Sequence, residues 1–88
     1  MIASSLLDLV GNTPLIELRL RPDRSTAPMR LFAKLEFYNP TGSYKDRMAM
    51  AMIEGAERRG ALRAGMRVVE FTGGSTGSSL AMVCAAKG

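Results

Sequence analysis

A chain of 88 residues is bounded at one small domain or part of one, and its 47% hydrophobic and 23% charged residues belong to a globular protein, not a disordered one. The net charge of +4 does not point to nucleic acid: the basic residues from Arg19 to Arg67 alternate with Glu36, Glu54, Glu57 and Glu70, and the two tyrosines and three phenylalanines make no stacking series. With no histidine and one cysteine, neither a metal cluster nor a Ser-His or Cys-His nucleophile can be assembled.

The first segment, Met1 to Val10, has no basic n-region, and Asp8 interrupts its apolar stretch, so it does not read as a signal peptide. No apolar run reaches membrane-spanning length, and Cys84 has no internal disulfide partner, so a reducing compartment, the cytoplasm, is expected. After the Gly11-Asn12-Thr13-Pro14 breaker, Leu15 to Leu20 reads as a short strand. Arg21 to Pro28, with two prolines, reads as a loop, and Arg30 to Glu36 as a second strand. Asn39-Pro40-Thr41-Gly42 breaks the chain again.

Ser43 then offers an N-cap, with Asp46 three residues on in a capping-box arrangement. Met48, Ala49, Met52, Ile53 and Ala56 follow helical spacing, leaving Glu54 and Arg58 as an exposed pair one turn apart. The helix should end near Gly60, with Arg58 and Arg59 at the negative pole of its dipole. Arg67 to Phe71 reads as a third strand entering Thr72-Gly73-Gly74-Ser75-Thr76-Gly77, and a second helix follows with Leu80, Ala81, Val83 and Cys84 apolar and Lys87-Gly88 at its end. This order predicts an α/β fold with a parallel sheet flanked by helices, incomplete because such a sheet needs more strands than the chain supplies. The methionines, notably Met48 and Met52, and Cys84 read as core filler.

Two stretches carry candidate chemistry, each at the start of a helix. Lys45 falls in a first turn, where the dipole disfavours a cation, so its amine would deprotonate more readily, as a Schiff-base lysine must. Read by position alone, it is more readily an ordinary solvated lysine, since lysines are commonly exposed. Thr72 to Gly77 would turn its N–H groups into a nest for a carboxylate or phosphate, or else form a plain strand-to-helix turn capped by Ser75 or Thr76. The loop also approaches the dinucleotide fingerprint, with Gly74 and Gly77 in the second and third glycine positions but Thr72 in the first. Gly42-Ser43-Tyr44-Lys45-Asp46 has the wrong order for a P-loop.

Taken together, Gly11-Asn12-Thr13-Pro14-Leu15, Lys34-Leu35-Glu36, Asn39 to Arg47 and the Gly-rich loop resemble, in order and spacing, the cysteine synthase and cystathionine beta-synthase family of pyridoxal-phosphate (PLP) enzymes, fold type II. The similarity runs from about Leu6 to Gly88, and Ser43-Tyr44-Lys45-Asp46-Arg47 is its most specific element. The resemblance implies that Lys45 holds PLP as a Schiff base and, once displaced, removes the substrate's alpha proton while the cofactor acts as electron sink. It implies beta-replacement on an activated serine by sulfide or a thiol, with Ser75 on the cofactor ring hydroxyl and Thr72, Gly73, Gly74 and Thr76 on the substrate carboxylate.

The loop departs from the family's common Thr-Ser-Gly-Asn-Thr-Gly, having Gly73 for the serine and Ser75 for the asparagine. Ser75 is shorter and would need a closer approach or a bridging water, while Gly73 loses a hydroxyl contact of about 1 kcal/mol. The resemblance further implies that the chain is an N-terminal piece, inactive alone. Residues from about 34 to 88 would lie in a smaller domain, residues 1–33 would pack on a larger one, and the whole protein would be a homodimer. An amino-acid lyase or dehydratase, a non-catalytic fragment and a nucleotide-binding half-domain are the alternatives.

Overall fold

The computed structural model describes residues 1–19 and 29–88. Two strands, β1 (Leu15–Leu18) and β2 (Leu31–Lys34), and two helices, α1 (Lys45–Arg58) and α2 (Ser75–Lys87), follow one another with short 3-10 turns at Leu6–Leu9 and Glu36–Tyr38. The end of the first expected strand at Leu20 and the loop from Arg21 to Pro28 lie outside the described residues.

The strands pair antiparallel, Leu15 opposite Lys34 and Leu18 opposite Leu31. Both sheet faces are largely exposed; Leu15 is 62% accessible and Ile16 46%. The parallel sheet expected from the element order is therefore not formed among the described residues, and neither is the third strand: Arg67 to Phe71 has no regular secondary structure and pairs with no other segment there. Strand structure exists only where a neighbouring backbone completes the ladder, whatever the β-propensity of the side chains. Val69 and Phe71, 88% and 100% exposed, are consequently bare.

Burial is concentrated at the seam between the helices. Ala49 and Ile53 of α1, one turn apart, meet Leu80 and Val83 of α2, with Leu7, Met50, Leu62, Met82 and Cys84 packed around them. The expected stripe on α1 is narrower than its spacing suggested, since Met52 is half exposed. The seam has polar ends. Asp46 meets Ser79 at one, and at the other Lys87 lies 3.5 Å from Glu54 and 3.2 Å from Glu57. Because early residues of α1 meet early residues of α2, and late meet late, the helices run side by side in the same direction. Glu54 thus serves the neighbouring helix and not Arg58, its expected partner.

The termini of α1 follow local chemistry. Gly60, at φ +72°, takes the left-handed position past the end, as expected, and Ala61 and Leu62 donate back to the Ala56 carbonyl. At the start, helical structure begins at Lys45, two residues after Ser43, and the Ser43 hydroxyl accepts from the Lys45 N–H. The capping box forms elsewhere. Ser5 and Asp8 form it around the Leu6–Leu9 turn, and hydrogen bonds from the Ser4 hydroxyl and then from the Ser5 and Ser4 N–H groups hold the Asp8 carboxyl below its usual range.

The seam sets stability. Ile53→Ala should cost about 2–4 kcal/mol in urea unfolding and Met52→Ala less than about 1 kcal/mol, because only the first leaves a cavity; equal costs would show that the helix pair is not the core.

Candidate active site at the paired helix starts

Three consecutive residues open α1 and point three ways, since each helical step turns about 100°. The Lys45 amine is partly exposed and sits over the Tyr44 ring, 4.8 Å from its centroid. Asp46 is fully buried. Its Oδ2 accepts from the Thr41 N–H at 2.8 Å, and its Oδ1 accepts from the Thr41 and Ser79 hydroxyls at 2.5 and 2.6 Å. Arg47 turns outward to Glu36, donating from Nε to Oε2 at 2.8 Å and from Nη2 to Oε1 at 3.0 Å.

Glu36 is the centre of a second network. Its carboxylate also accepts from the Thr13 hydroxyl at 2.5 Å and from Asn39 Nδ2 at 3.0 Å, while Asn39 Oδ1 accepts from the Gly11 N–H at 2.8 Å and Lys34 donates to the Thr13 carbonyl. The Arg47 guanidinium and then the Thr13 hydroxyl hold the Glu36 carboxyl down at about 2. Gly11 is required on two counts. Its φ is +83°, and a Cβ there would lie 2.8 Å from Arg47 Nη1.

The Gly-rich loop enters α2 at the same end of the helix pair. The Thr72 hydroxyl accepts from the Gly74 N–H at 3.2 Å and the Gly77 N–H at 3.1 Å, so two amides expected to face an anion are turned onto a side chain. Gly77 lets the two approach, since a Cβ there would lie 2.5 Å from Thr72 Cγ2. Ser78 donates to the Gly74 carbonyl. The Ser75 and Thr76 N–H groups lie in the first turn of α2, at its positive pole, where the helix offers them no acceptor. Gly73 and Gly74 are open, with nothing within 4 Å of a built Cβ.

The sequence matches the family described as pyridoxal-phosphate dependent enzyme over residues 6–88. The chain belongs to that family. It is 49% identical over 84 residues to a cysteine synthase of Staphylococcus aureus (strain N315), covering 96% of this chain and 26% of the relative. Among solved structures, O-ureido-L-serine synthase aligns at 40% identity with a TM-score of 0.83 over 100% of this chain and 27% of its own. A hydrogen sulfide-producing enzyme from Fusobacterium nucleatum aligns at 42% with a TM-score of 0.85 over 99% and 28%. The chain thus spans about a quarter of the length of these relatives. These matches also bear out the α/β class and the incomplete fold.

The residues present fit the family's cofactor in kind: an aldehyde-reactive amine at Lys45, and free amides and hydroxyls suited to anionic or hydroxyl groups at Ser75 and Thr76. The structure joins the helix start bearing Lys45 to the helix that follows the loop, through Asp46 and Ser79. Sequence reasoning gave Asp46 only a capping role and gave Ser79 none. The signal available was a carboxylate and a hydroxyl on the buried sides of two otherwise apolar helices.

Glu36 carries a pH dependence. A carboxyl held at about 2 when folded, against an ordinary 4.5, contributes stability that is fully present above about pH 4.5 and is lost as the pH falls toward 2. Glu36→Gln should flatten the acid limb of a stability-against-pH curve over that window, and added salt should shrink the difference because Arg47 is partly exposed. Gly11→Ala should lower stability by at least about 1 kcal/mol at neutral pH in the same assay.

Proposed function

We propose that this chain is the lysine-bearing part of an enzyme that replaces the beta substituent of an activated serine with sulfide or a thiol, giving cysteine or a related beta-substituted alanine. The observation that carries this reading is the placement of Lys45 in the first turn of α1, pinned through Asp46 to α2, whose own first turn offers the Ser75 and Thr76 amides. Relatives named for cysteine and O-ureido-L-serine support it.

PLP bound here supplies the electron sink for breaking bonds at the substrate's alpha carbon. Lys45 then has two tasks. Its amine would hold the cofactor and, when free, would take the proton from the substrate's alpha carbon and return it. Ser75 would hydrogen-bond the cofactor ring hydroxyl, directly or through a water. Thr72 through its own O–H, together with Gly73 and Thr76, would hold the substrate carboxylate; Gly74, its N–H taken by Thr72, would leave the approach open, and the first-turn amides of α2 would favour the negative charge.

The same reading assigns residues 34–88 to a smaller domain and residues 1–33 to a contact with a larger one, in a cytoplasmic homodimer. The bare apolar side chains of β1, Val69 and Phe71 support this, because patches of that kind mark surfaces that another piece of polypeptide covers. No helix among the described residues is long and apolar enough to cross a membrane.

Borohydride reduction of the complete protein purified with PLP should fix the cofactor on the peptide containing Lys45, read by mass spectrometry. Lys45→Ala should abolish the label and the visible absorbance and lower turnover at least about a hundredfold. A folded complete protein with no adduct on Lys45 would sink the proposal.

A further inference from the structure

We infer that Asp46 is a positioning residue for this chemistry, with Ser79 and Thr41 as its partners: one buried carboxylate sets the direction of the Lys45 amine and the placement of the Gly-rich loop together. The inference rests on the role proposed for Lys45.

Asp46 follows Lys45 directly and is wholly inaccessible, yet no cation pairs with it among the described residues; its partners are one amide and two hydroxyls. An apolar pair would hold two helices together without the desolvation that a carboxylate brings. Directional hydrogen bonds add what apolar contact lacks, a fixed rotation of α1 about its own axis. Since Lys45 lies about 100° round from Asp46, fixing one azimuth fixes the other. Ser79 acts at the far end of the same bond. It stands four residues after Ser75, on the same face of α2 one turn along, so the Ser79 hydroxyl on Asp46 Oδ1 also sets where the first turn of α2 sits. Thr41 closes the arrangement, its hydroxyl on Asp46 Oδ1 and 3.4 Å from Ser79 Oγ. The turn that carries Lys45 and the first turn of α2 are both held from the buried side.

The test uses the complete protein loaded with PLP and compares Ser79→Ala, Thr41→Val, Thr41→Ser and Asp46→Asn with the wild type. Borohydride labelling at Lys45 is scored first in every protein, then kcat and KM. The expected result is retained label with kcat lowered about tenfold or more in Ser79→Ala and Thr41→Val, KM changed much less, and Thr41→Ser close to wild type because it keeps the hydroxyl. Asp46→Asn should be the most impaired, and where it does not fold, Ser79→Ala decides. Labelled, folded Ser79→Ala and Thr41→Val with wild-type kcat would overturn the positioning role alone, whereas an unlabelled wild type would overturn it together with the role of Lys45.

Discussion

The constraint on which the rest of the arrangement depends is the burial of the Asp46 carboxylate. A carboxylate removed from water is tolerated only where its oxygens are fully engaged, and each hydrogen bond to such a charged group contributes about 1.5–3 kcal/mol. Thr41 and Ser79 supply those bonds from opposite directions in sequence, one from the turn before α1 and one from inside α2. The requirement therefore acts on three segments at once. It closes the turn at Asn39 to Gly42 onto the helix it introduces, and it lays α2 against α1 at one height. The apolar contacts of Ala49, Ile53, Leu80 and Val83 then fill the seam below. Hydrophobic burial supplies adhesion between the helices, but it is non-directional, and the polar end of the seam is what sets the register.

Glu36 plays the corresponding part on the other side. Its carboxylate is held by Arg47 from α1, Thr13 from the turn before β1 and Asn39 from the turn before α1. These are the short motifs that stand apart in the sequence: Gly-Asn-Thr-Pro, Lys-Leu-Glu and the Asn39 to Arg47 stretch. In the fold they form one polar junction, which explains why residue types so different occur together. The Lys-Leu-Glu motif supplies the carboxylate, Gly-Asn-Thr-Pro the Thr13 hydroxyl donor, and the Asn39 to Arg47 stretch the Asn39 and Arg47 donors, while Gly11, at φ +83°, lies against the Arg47 guanidinium. Lys45 precedes the two anchored residues of its turn, Asp46 inward and Arg47 outward, and its amine lies over the Tyr44 ring.

Much of this was legible in sequence. Both helices, the end of α1 at Gly60 and the two paired strands follow from spacing, glycine placement and β-propensity, which are local signals. The failures share one cause, dependence on partners distant in sequence. Asp46 lies three residues after Ser43, so a local rule made it a capping residue, while it bonds Thr41 in the preceding turn and, on another helix, Ser79. Glu54 had a basic residue one turn away and pairs instead with Lys87. Val68, Val69 and Phe71 are correctly placed for a strand by composition, yet a strand is a relation between two segments, and no second segment meets this one among the described residues.

The Gly-rich loop shows the same division at the scale of single atoms. Its glycines suggested a cradle of amides, and two of those amides do converge, but on the Thr72 hydroxyl, not on open solvent. That contact has a physical use. By accepting from Gly74 and Gly77, Thr72 folds the loop into a closed turn, and the N–H groups it leaves over are those of Ser75 and Thr76 at the pole of α2. An anion approaching this end would meet amides already oriented, with less conformational entropy left to lose than in an open loop. Ser79, one turn below, carries the same orientation down to Asp46. The loop and the lysine-bearing turn are thus two outlets of one rigid polar core, and that is a reason for a hydroxyl at position 79 that the apolar pattern of α2 alone does not provide.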